Sequence, residues 1–300
     1  MPSLPTNFGL LEEEDCRYET SRVAVLPVPF ERTTTYGKGT SGGPAAIIRA
    51  SQSMELWDEE LGSEPFRQGI ATLPPYLPEA FDMPVALGEL QAEARRHLAA
   101  GKFLVTLGGE HSLTQAPVAA ACEVHGEIGV VQFDAHADLR EEFEGTPHSH
   151  ASVMKRIVDS GVSTLAVGIR SLSTPEAALV RERKLHVVWG HQLHPSPPEL
   201  YFGLLTKLPQ KVYLTFDVDF FDPSLVPGTG TPEPGGGTWY PTLLLLRALF
   251  RSRTVVAMDV VELAPIGGQP ASDFLAAKLV YKCLGYLQEK ETGSGPQWQR

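Results

Sequence analysis

Short apolar, β-branched runs alternate with longer amphipathic stretches along this chain, and the alternation constrains its fold more than any other feature. The runs lie at residues 23–26, 103–107, 128–133, 164–167, 212–216 and 254–258, and the amphipathic stretches at about 87–100, 112–123, 151–159, 174–183, 240–251 and 271–288. Strands without a polar face are typical of a parallel sheet that is buried on both sides. We therefore predict an α/β fold of three layers, α/β/α, with a mainly parallel central sheet.

The chain shows no sign of division into several domains. It contains no internal repeat, no linker rich in Gly and Ser, and no change of composition in mid-chain. We expect residues 1–300 to form one domain with loose ends at about 1–18 and 289–300. The second of these segments is polar and contains two glycines and a proline.

The net charge of −11 argues against nucleic acid or a membrane surface as a partner, because both attract clusters of Lys and Arg that this chain lacks. A cationic partner fits the charge better.

The N-terminus has no basic segment followed by an apolar one, and no apolar run reaches about 18 residues. The three cysteines, Cys16, Cys122 and Cys283, are far apart and form no C-x-x-C pair. These features predict a cytoplasmic protein.

Potential metal ligands directly follow three of the predicted strands: His111, Asp134, His136, Asp138, Asp217 and Asp219. The carboxyl ends of parallel strands meet at one edge of a sheet, where ligands bind in folds of this class. Residues two apart in extended chain point to the same side, which applies within 134–138 and within 217–219. The sequence therefore predicts one pocket that collects these side chains.

Four aspartates buried together would repel one another unless cations were bound between them. A site rich in oxygen with some imidazole suits Mn²⁺, although Zn²⁺, Co²⁺ and Ni²⁺ accept the same ligands. Two ions about 3.5–4 Å apart can lower the pKa of a shared water and supply a hydroxide. A lone Asp-x-Asp is more often a turn or a helix cap, but three such motifs after three strands favour a hydrolytic metal site.

These motifs, in this order, resemble those of the ureohydrolases, the family of arginase, agmatinase, guanidinobutyrase and formimidoylglutamase. The resemblance covers nearly the whole chain, through the segments 29–30, 37–40, 43–47, 108–112, 134–138, 149–152, 217–223, 227–236 and 259–265. It implies an enzyme with two Mn²⁺ ions per subunit that releases urea from a small cationic guanidino compound. It also implies a homo-oligomer, a trimer or a hexamer.

The resemblance assigns the metal ligands residue by residue. One ion would be bound by His111, Asp134, Asp138 and Asp217. The other would be bound by Asp134, His136, Asp217 and Asp219, so that Asp134 and Asp217 bridge the two ions.

The same resemblance assigns the catalytic roles. Asp138 would carry the proton of the bridging hydroxide to the leaving amine, and His150 would be a proton shuttle, with His148 as a competing candidate. Glu262 would clamp the guanidinium by charge-assisted hydrogen bonds, although a strand-end salt bridge is a structural alternative. Asp259 is expected to support the ligands from behind.

The substrate is less constrained than the family. Arg140 occupies a position where arginases carry an asparagine that receives the carboxylate of arginine, and the acidic segment 141–144 follows it. That segment could attract a distal ammonium, whereas an inward-pointing Arg140 could bind the carboxylate of 4-guanidinobutyrate. Thr231 is expected to line the pocket, and Glu233 belongs to a Thr-Pro-Glu-Pro pattern common in agmatinases. We rank agmatine or aminopropylagmatine first, guanidinobutyrate second and arginine third.

Two other hypotheses remain open at this point. A deacetylase with the same fold would hold a single zinc ion, which the separate candidate ligands His111 and Asp219 oppose. A non-catalytic, regulatory relative would be expected to lack at least one ligand, and none is missing from the sequence.

Overall fold

The computed structural model describes residues 7–193 and 199–292, and all the strands in this part of the chain belong to one sheet. The strands are β1 (Val23–Val28), β2 (Ile70–Thr72), β3 (Phe103–Gly108), β4 (Gly129–Phe133), β5 (Ser163–Ile169), β6 (His186–Trp189), β7 (Lys211–Asp217) and β8 (Thr254–Val261). Their order across the sheet is β2-β1-β3-β8-β7-β4-β5-β6, and each neighbouring pair is parallel.

Helices cover both faces of the sheet. They are α1 (Glu13–Cys16), α2 (Gly43–Ser51), α3 (Met83–Ala99), α4 (Gln115–His125), α5 (Val153–Asp159), α6 (Thr174–Arg183), α7 (Glu199–Leu205), α8 (Trp239–Ser252) and α9 (Ala271–Thr292). Side chains of α2, α7, α8 and α9 pack in one hydrophobic core, and side chains of α3, α4, α5 and α6 pack in a second. Over the described residues, no helix combines the length and the apolar character needed to cross a membrane.

The central strands are mostly apolar because they supply both cores. In β1, Val23 and Val25 belong to one core, and Ala24 and Leu26 belong to the other. This follows from the alternation of side chains along a strand. The prediction of a three-layer α/β/α fold is confirmed, and the described sheet is parallel throughout.

The sequence pattern missed the two edge strands and three helices, α2, α7 and the four-residue α1. β2 has three residues, and β6 is only partly buried, so neither shows the long apolar run of a central strand. α2 begins with Gly43 and Pro44, which read as a turn, although proline is well tolerated in the first turn of a helix. α7 follows residues 194–198, which lie outside the described part of the chain.

The expected loose ends fall partly outside the described residues, which exclude 1–6 and 293–300. Part of what is described of them packs against the domain, whereas Leu10 and residues 12–14 are exposed. Phe8 is fully buried, and the carboxylate of Glu289 accepts hydrogen bonds of 2.6 and 3.0 Å from Arg247. These contacts join distant parts of the chain, so local composition did not indicate them.

The strands that carry the candidate residues lie side by side in the middle of the sheet. β3, β8, β7 and β4 are consecutive neighbours, although the chain visits them in a different order. Their carboxyl ends therefore lie together at one edge of the sheet. Such a place, where strand order departs from chain order, is where ligands bind in open α/β sheets.

Gly109 provides a test of how tightly this edge is packed. A Cβ atom at this residue would lie 2.0 Å from the carbonyl oxygen of Phe30, whereas a Cβ on Gly88 in α3 would meet no atom within 4 Å. We expect Gly109→Ala to lower the free energy of unfolding by about 1–3 kcal/mol. Gly88→Ala should raise it by up to about 1 kcal/mol, because alanine favours helix. Urea denaturation followed by circular dichroism measures both, and equal stabilities would contradict the packing described.

Candidate metal centre

The imidazole of His111 lies buried among three carboxylates. Its Nδ1 atom is 3.1 Å from an oxygen of Asp138, 3.2 Å from one of Asp134 and 3.4 Å from one of Asp217. None of these contacts has hydrogen-bond geometry, so Nδ1 is a buried nitrogen without a hydrogen-bond partner among the described residues. Leaving such an atom unsatisfied is costly, whereas a cation between the nitrogen and the carboxylates would be bound by both.

The other nitrogen of His111 identifies which tautomer is present. Nε2 lies 2.8 Å from the Thr215 hydroxyl, which donates a 2.6 Å hydrogen bond to Asp259. Asp259 also accepts hydrogen bonds from Thr114 and Tyr213, both at 2.9 Å. Because the single Thr215 proton is directed to Asp259, the Thr215 oxygen accepts from Nε2–H. A neutral His111 then presents the lone pair of Nδ1 to the carboxylates, as a metal ligand must.

A second group of ligand atoms lies beside the first and shares Asp134. The Nδ1 atom of His136 is 2.9 Å from Asp219 and 3.7 Å from Asp134. The backbone N–H of Ala135 donates to Asp219 at 3.0 Å, and the N–H of Asp219 donates to Asp217 at 2.9 Å. In each group, His111–Asp134–Asp217 and Asp134–His136–Asp219, the ligand atoms lie within 4.8 Å of one another, a geometry that can hold a metal ion.

The negative charges of this cluster favour the binding of cations. Burial and the charge of Asp219 raise the pKa of Asp217 well above its usual value, and burial and Asp134 raise the pKa of Asp138 to about 7. Burial lowers the pKa of His136, but Asp219 and Asp134 together raise it to about 12. The carboxylates thus repel one another and attract any available positive charge. Bound divalent ions fit this donor set.

Glu262 directly follows β8 at the same edge of the sheet. Its Oε1 atom accepts a 2.6 Å hydrogen bond from the backbone N–H of His111, and its own N–H donates to the carbonyl of Gly109 at 2.7 Å. Its φ of 63° is unusual for a glutamate and indicates a backbone held by these contacts. Burial raises the pKa of its carboxyl group. No described ion pair involves Glu262, so the structural alternative of a salt bridge receives no support.

The two candidate shuttle histidines occupy different surroundings. His150 is half-buried, lies 3.2 Å from the Thr33 hydroxyl through Nδ1, and packs edge-to-face on Phe143 at 5.6 Å. His148 contacts Gln115 at 3.0 Å and lines a cavity of about 310 Å³ between α3, α4 and α5. Burial lowers the pKa of both histidines; the next influence on His150 is the charge of Glu110, whereas on His148 it is that of Arg156. His150 is therefore connected through Thr33 to Glu110, the residue before His111, whereas His148 faces the cavity between the helices.

Comparison with known proteins assigns the family. The family model described as the arginase family matches residues 21–285. The chain belongs to the arginase family. The resemblance to ureohydrolases noted in the sequence is confirmed, and so is the class of enzyme, one that hydrolyses an amidine carbon–nitrogen bond.

Individual relatives of this arginase-family chain match over almost their full length. It is 41% identical to the N(1)-aminopropylagmatine ureohydrolase of Synechocystis sp., across 96% of this chain and 95% of the relative. It is 40% identical to the N(1)-aminopropylagmatine ureohydrolase of Thermus thermophilus, across 91% of this chain and 92% of the relative. Among solved structures, the agmatine ureohydrolase of Thermoplasma volcanium superposes with a TM-score of 0.85 at 25% identity, covering 97% of each chain.

The acidic segment 141–144 is only partly available to a ligand. The Glu141 carboxylate pairs with Lys155 at 2.7 Å and with Arg156 at 2.9 Å, and these contacts lower its pKa to about 2. Glu142 and Glu144 are exposed and form no described ion pair. The attraction that the sequence predicts for a distal ammonium therefore rests on Glu142 and Glu144.

The remaining predicted pocket residues lie on the surrounding loops. Arg140 is exposed, with its guanidinium 5.1 Å from the centre of the Phe143 ring. Thr231 is partly exposed, and no described hydrogen bond involves its side chain. The same loop carries Glu233, whose Oε1 lies 4.0 Å from Nε2 of His136, and Arg170 donates to the Glu233 carbonyl at 2.7 Å. These contacts place Glu233 beside the candidate metal centre, a position that the sequence did not reveal.

Three residues of this site escaped the sequence analysis: Thr33, Glu110 and Thr215. Glu110 belongs to the segment 108–112 that carries the family resemblance, so the sequence could have indicated its place in the site. Thr33 and Thr215 follow no pattern that distinguishes them from other threonines, because their importance comes from contacts with distant residues.

Thr215 provides a test of the support behind His111. Thr215→Val keeps the shape of the side chain but removes the acceptor for Nε2–H, so we expect metal affinity to fall roughly 10- to 100-fold. Thr164→Val, in strand β5, removes a buried hydroxyl outside the site and should leave the affinity unchanged. Isothermal titration with Mn²⁺ measures both affinities. Equal affinities in the two variants would show that Thr215 does not orient the ligand.

Proposed function

We propose that this protein is a binuclear manganese hydrolase that cleaves a cationic guanidino compound to urea and an amine. The Nδ1 atoms of His111 and His136 lie among four carboxylates, and the carboxylate of Asp134 contacts both imidazoles. Glu262 accepts a hydrogen bond from the backbone N–H of His111. This arrangement is the observation that carries the proposal. A purely structural role would not explain why an unpartnered nitrogen faces three buried carboxylates.

The residues present fit two ions. His111, Asp134, Asp138 and Asp217 would hold one, and Asp134, His136, Asp217 and Asp219 the other. The mixture of carboxylate oxygens and two imidazoles suits Mn²⁺. When bound, such ions would supply a hydroxide nucleophile near neutral pH by lowering the pKa of water.

The side chains supply orientation and proton transfer. Glu262 accepts hydrogen bonds from the guanidinium and offsets its charge, which holds the guanidino carbon for attack. When the hydroxyl oxygen bonds to that carbon, Asp138 takes the hydroxyl proton and delivers it to the leaving nitrogen. The carbon–nitrogen bond then breaks with its electron pair on nitrogen, releasing urea and a neutral amine. His150 provides the further proton that makes the amine an ammonium ion.

The substrate that we favour is aminopropylagmatine or agmatine. Two relatives of 40–41% identity are named N(1)-aminopropylagmatine ureohydrolases. The exposed carboxylates of Glu142 and Glu144 suit a cationic tail better than an anionic one. Arg140 favours the alternative, 4-guanidinobutyrate, because its guanidinium is not engaged by a described carboxylate. A non-catalytic role is the least favoured, since each of the six ligand positions in the cluster carries a ligand-type side chain.

Urea release by the Mn²⁺-loaded protein tests this proposal. We expect kcat/KM for aminopropylagmatine or agmatine to exceed that for 4-guanidinobutyrate and arginine by about 10-fold or more, which corresponds to about 1.4 kcal/mol of selective binding. Preference for 4-guanidinobutyrate would instead assign carboxylate binding to Arg140.

The matched variants for this assay are Asp138→Asn and Asp222→Asn. Asparagine tolerates the φ of 53° at position 138, so the first variant removes the carboxylate with little backbone strain. We expect its kcat to fall by about 10²- to 10⁴-fold, and Asp222→Asn, at a partly exposed turn, to retain wild-type turnover. Absence of urea from every substrate with both ions bound would refute the proposed function.

A further inference from the structure

The hydroxyl group of Thr33 bridges Glu110 and His150. Thr33 Oγ1 lies 2.9 Å from Glu110 Oε1, 3.2 Å from Nδ1 of His150 and 3.0 Å from the backbone nitrogen of His150. Thr33 lies in the segment between β1 and α2, whereas His150 lies just before α5, so the contact joins two loops that meet only in the folded protein. It directly links a buried carboxylate to the candidate proton shuttle.

The hydrogen bonds of Glu110 determine where the Thr33 proton lies. The Oε2 atom of Glu110 accepts from the backbone N–H groups of Arg32 and Thr33, both at 2.5 Å. Its Oε1 atom accepts from the hydroxyls of Thr33 and Ser112. All four neighbours act as donors to this fully buried carboxylate. The single hydroxyl proton of Thr33 is therefore committed to Glu110.

The Thr33 oxygen is then an acceptor for both of its other neighbours. It accepts from the backbone N–H of His150, and the remaining lone pair faces Nδ1 of the same residue. An oxygen that only accepts requires Nδ1 to carry a hydrogen atom. In a neutral imidazole the other nitrogen, Nε2, then has the free lone pair.

We propose that Glu110 and Thr33 are positioning residues that hold His150 in the tautomer with hydrogen on Nδ1, so that Nε2 is the atom that exchanges protons with the leaving amine. Phe143 restricts the ring from the other side, since its ring packs on His150 at an interplanar angle of 86°. Glu110 also immediately precedes His111, so the arrangement fixes the shuttle relative to the metal centre. The inference rests on the proposed function for its catalytic consequence, but the tautomer itself does not depend on it.

The catalytic test compares Thr33→Val, which removes the hydroxyl at nearly constant shape, with Thr33→Ser, which keeps it. We expect Thr33→Val to lower kcat roughly 10- to 100-fold, part of the full effect of a general acid, with KM within about threefold of wild type. Thr33→Ser should stay within about threefold of wild type in both constants. Bound metal and melting temperature, measured in parallel, separate this effect from loss of the metal centre or of the fold.

The same substitution in a His150→Ala background shows whether Thr33 acts through His150. We expect Thr33→Val to change kcat by less than about twofold once His150 is absent, because the two residues act as a unit. Equal losses in both backgrounds, or wild-type kcat in Thr33→Val, would overturn the inference while leaving the proposed function in place. Wild-type turnover in His150→Ala alone would refute the shuttle role and its catalytic consequence.

The tautomer can be observed without any activity. Nitrogen-15 NMR spectra of histidine-labelled, metal-free protein distinguish protonated from unprotonated ring nitrogens, and the His150 signals are assigned by their loss in His150→Gln. We expect a proton on Nδ1 and none on Nε2 in the neutral ring, and a shift toward the other tautomer in Thr33→Val. A wild-type ring with its proton on Nε2 would overturn the inference even if urea release proceeds as proposed.

Discussion

Repulsion among carboxylates buried at the ends of β4 and β7 is the constraint on which the rest of the structure depends. These strands are neighbours, with Phe133 paired to Phe216, so the aspartates that follow them come together when the sheet forms. Backbone N–H groups and two imidazoles offset part of the repulsion, but burial and the charges of neighbouring aspartates still raise the pKa of Asp138 and of Asp217. Bound cations would turn this destabilising cluster into a source of stability.

Strand β8 lies on the side of β7 opposite to β4 and carries side chains that hydrogen-bond to residues next to the cluster. Asp259 lies within β8 and collects the hydroxyl hydrogens of Thr114, Tyr213 and Thr215, and the Thr215 oxygen in turn orients His111. Glu262, at the end of the same strand, accepts from the backbone of His111. Strand β8 thus carries Asp259, which acts on His111 through Thr215, and is directly followed by Glu262, the residue proposed to bind substrate. Both residues lie near the cluster because the carboxyl ends of neighbouring strands in a parallel sheet lie at one edge.

Much of this arrangement could be predicted from the sequence because it depends on local patterns. The central strands appear as apolar runs, and the candidate ligands lie at or just after their ends: His111, Asp134, His136, Asp138, Asp217 and Asp219. The roles of Thr33 and Thr215 could not be predicted, because each depends on which proton a distant carboxylate accepts. The composition of the acidic segment 141–144 predicts attraction of a distal ammonium, but the Glu141 carboxylate is paired with Lys155 and Arg156 of α5. Ion pairs that form between loop and helix leave no periodic signal in the sequence.

The central claim is that the clustered aspartates and histidines form a site for two metal ions. Anomalous X-ray diffraction at the manganese absorption edge, from crystals grown with Mn²⁺, tests it most directly. We expect two peaks about 3.5–4 Å apart, one beside Nδ1 of His111 and the other beside Nδ1 of His136, with Asp134 and Asp217 between them. A single peak at saturating Mn²⁺, or none within the carboxylate cluster, would contradict the account.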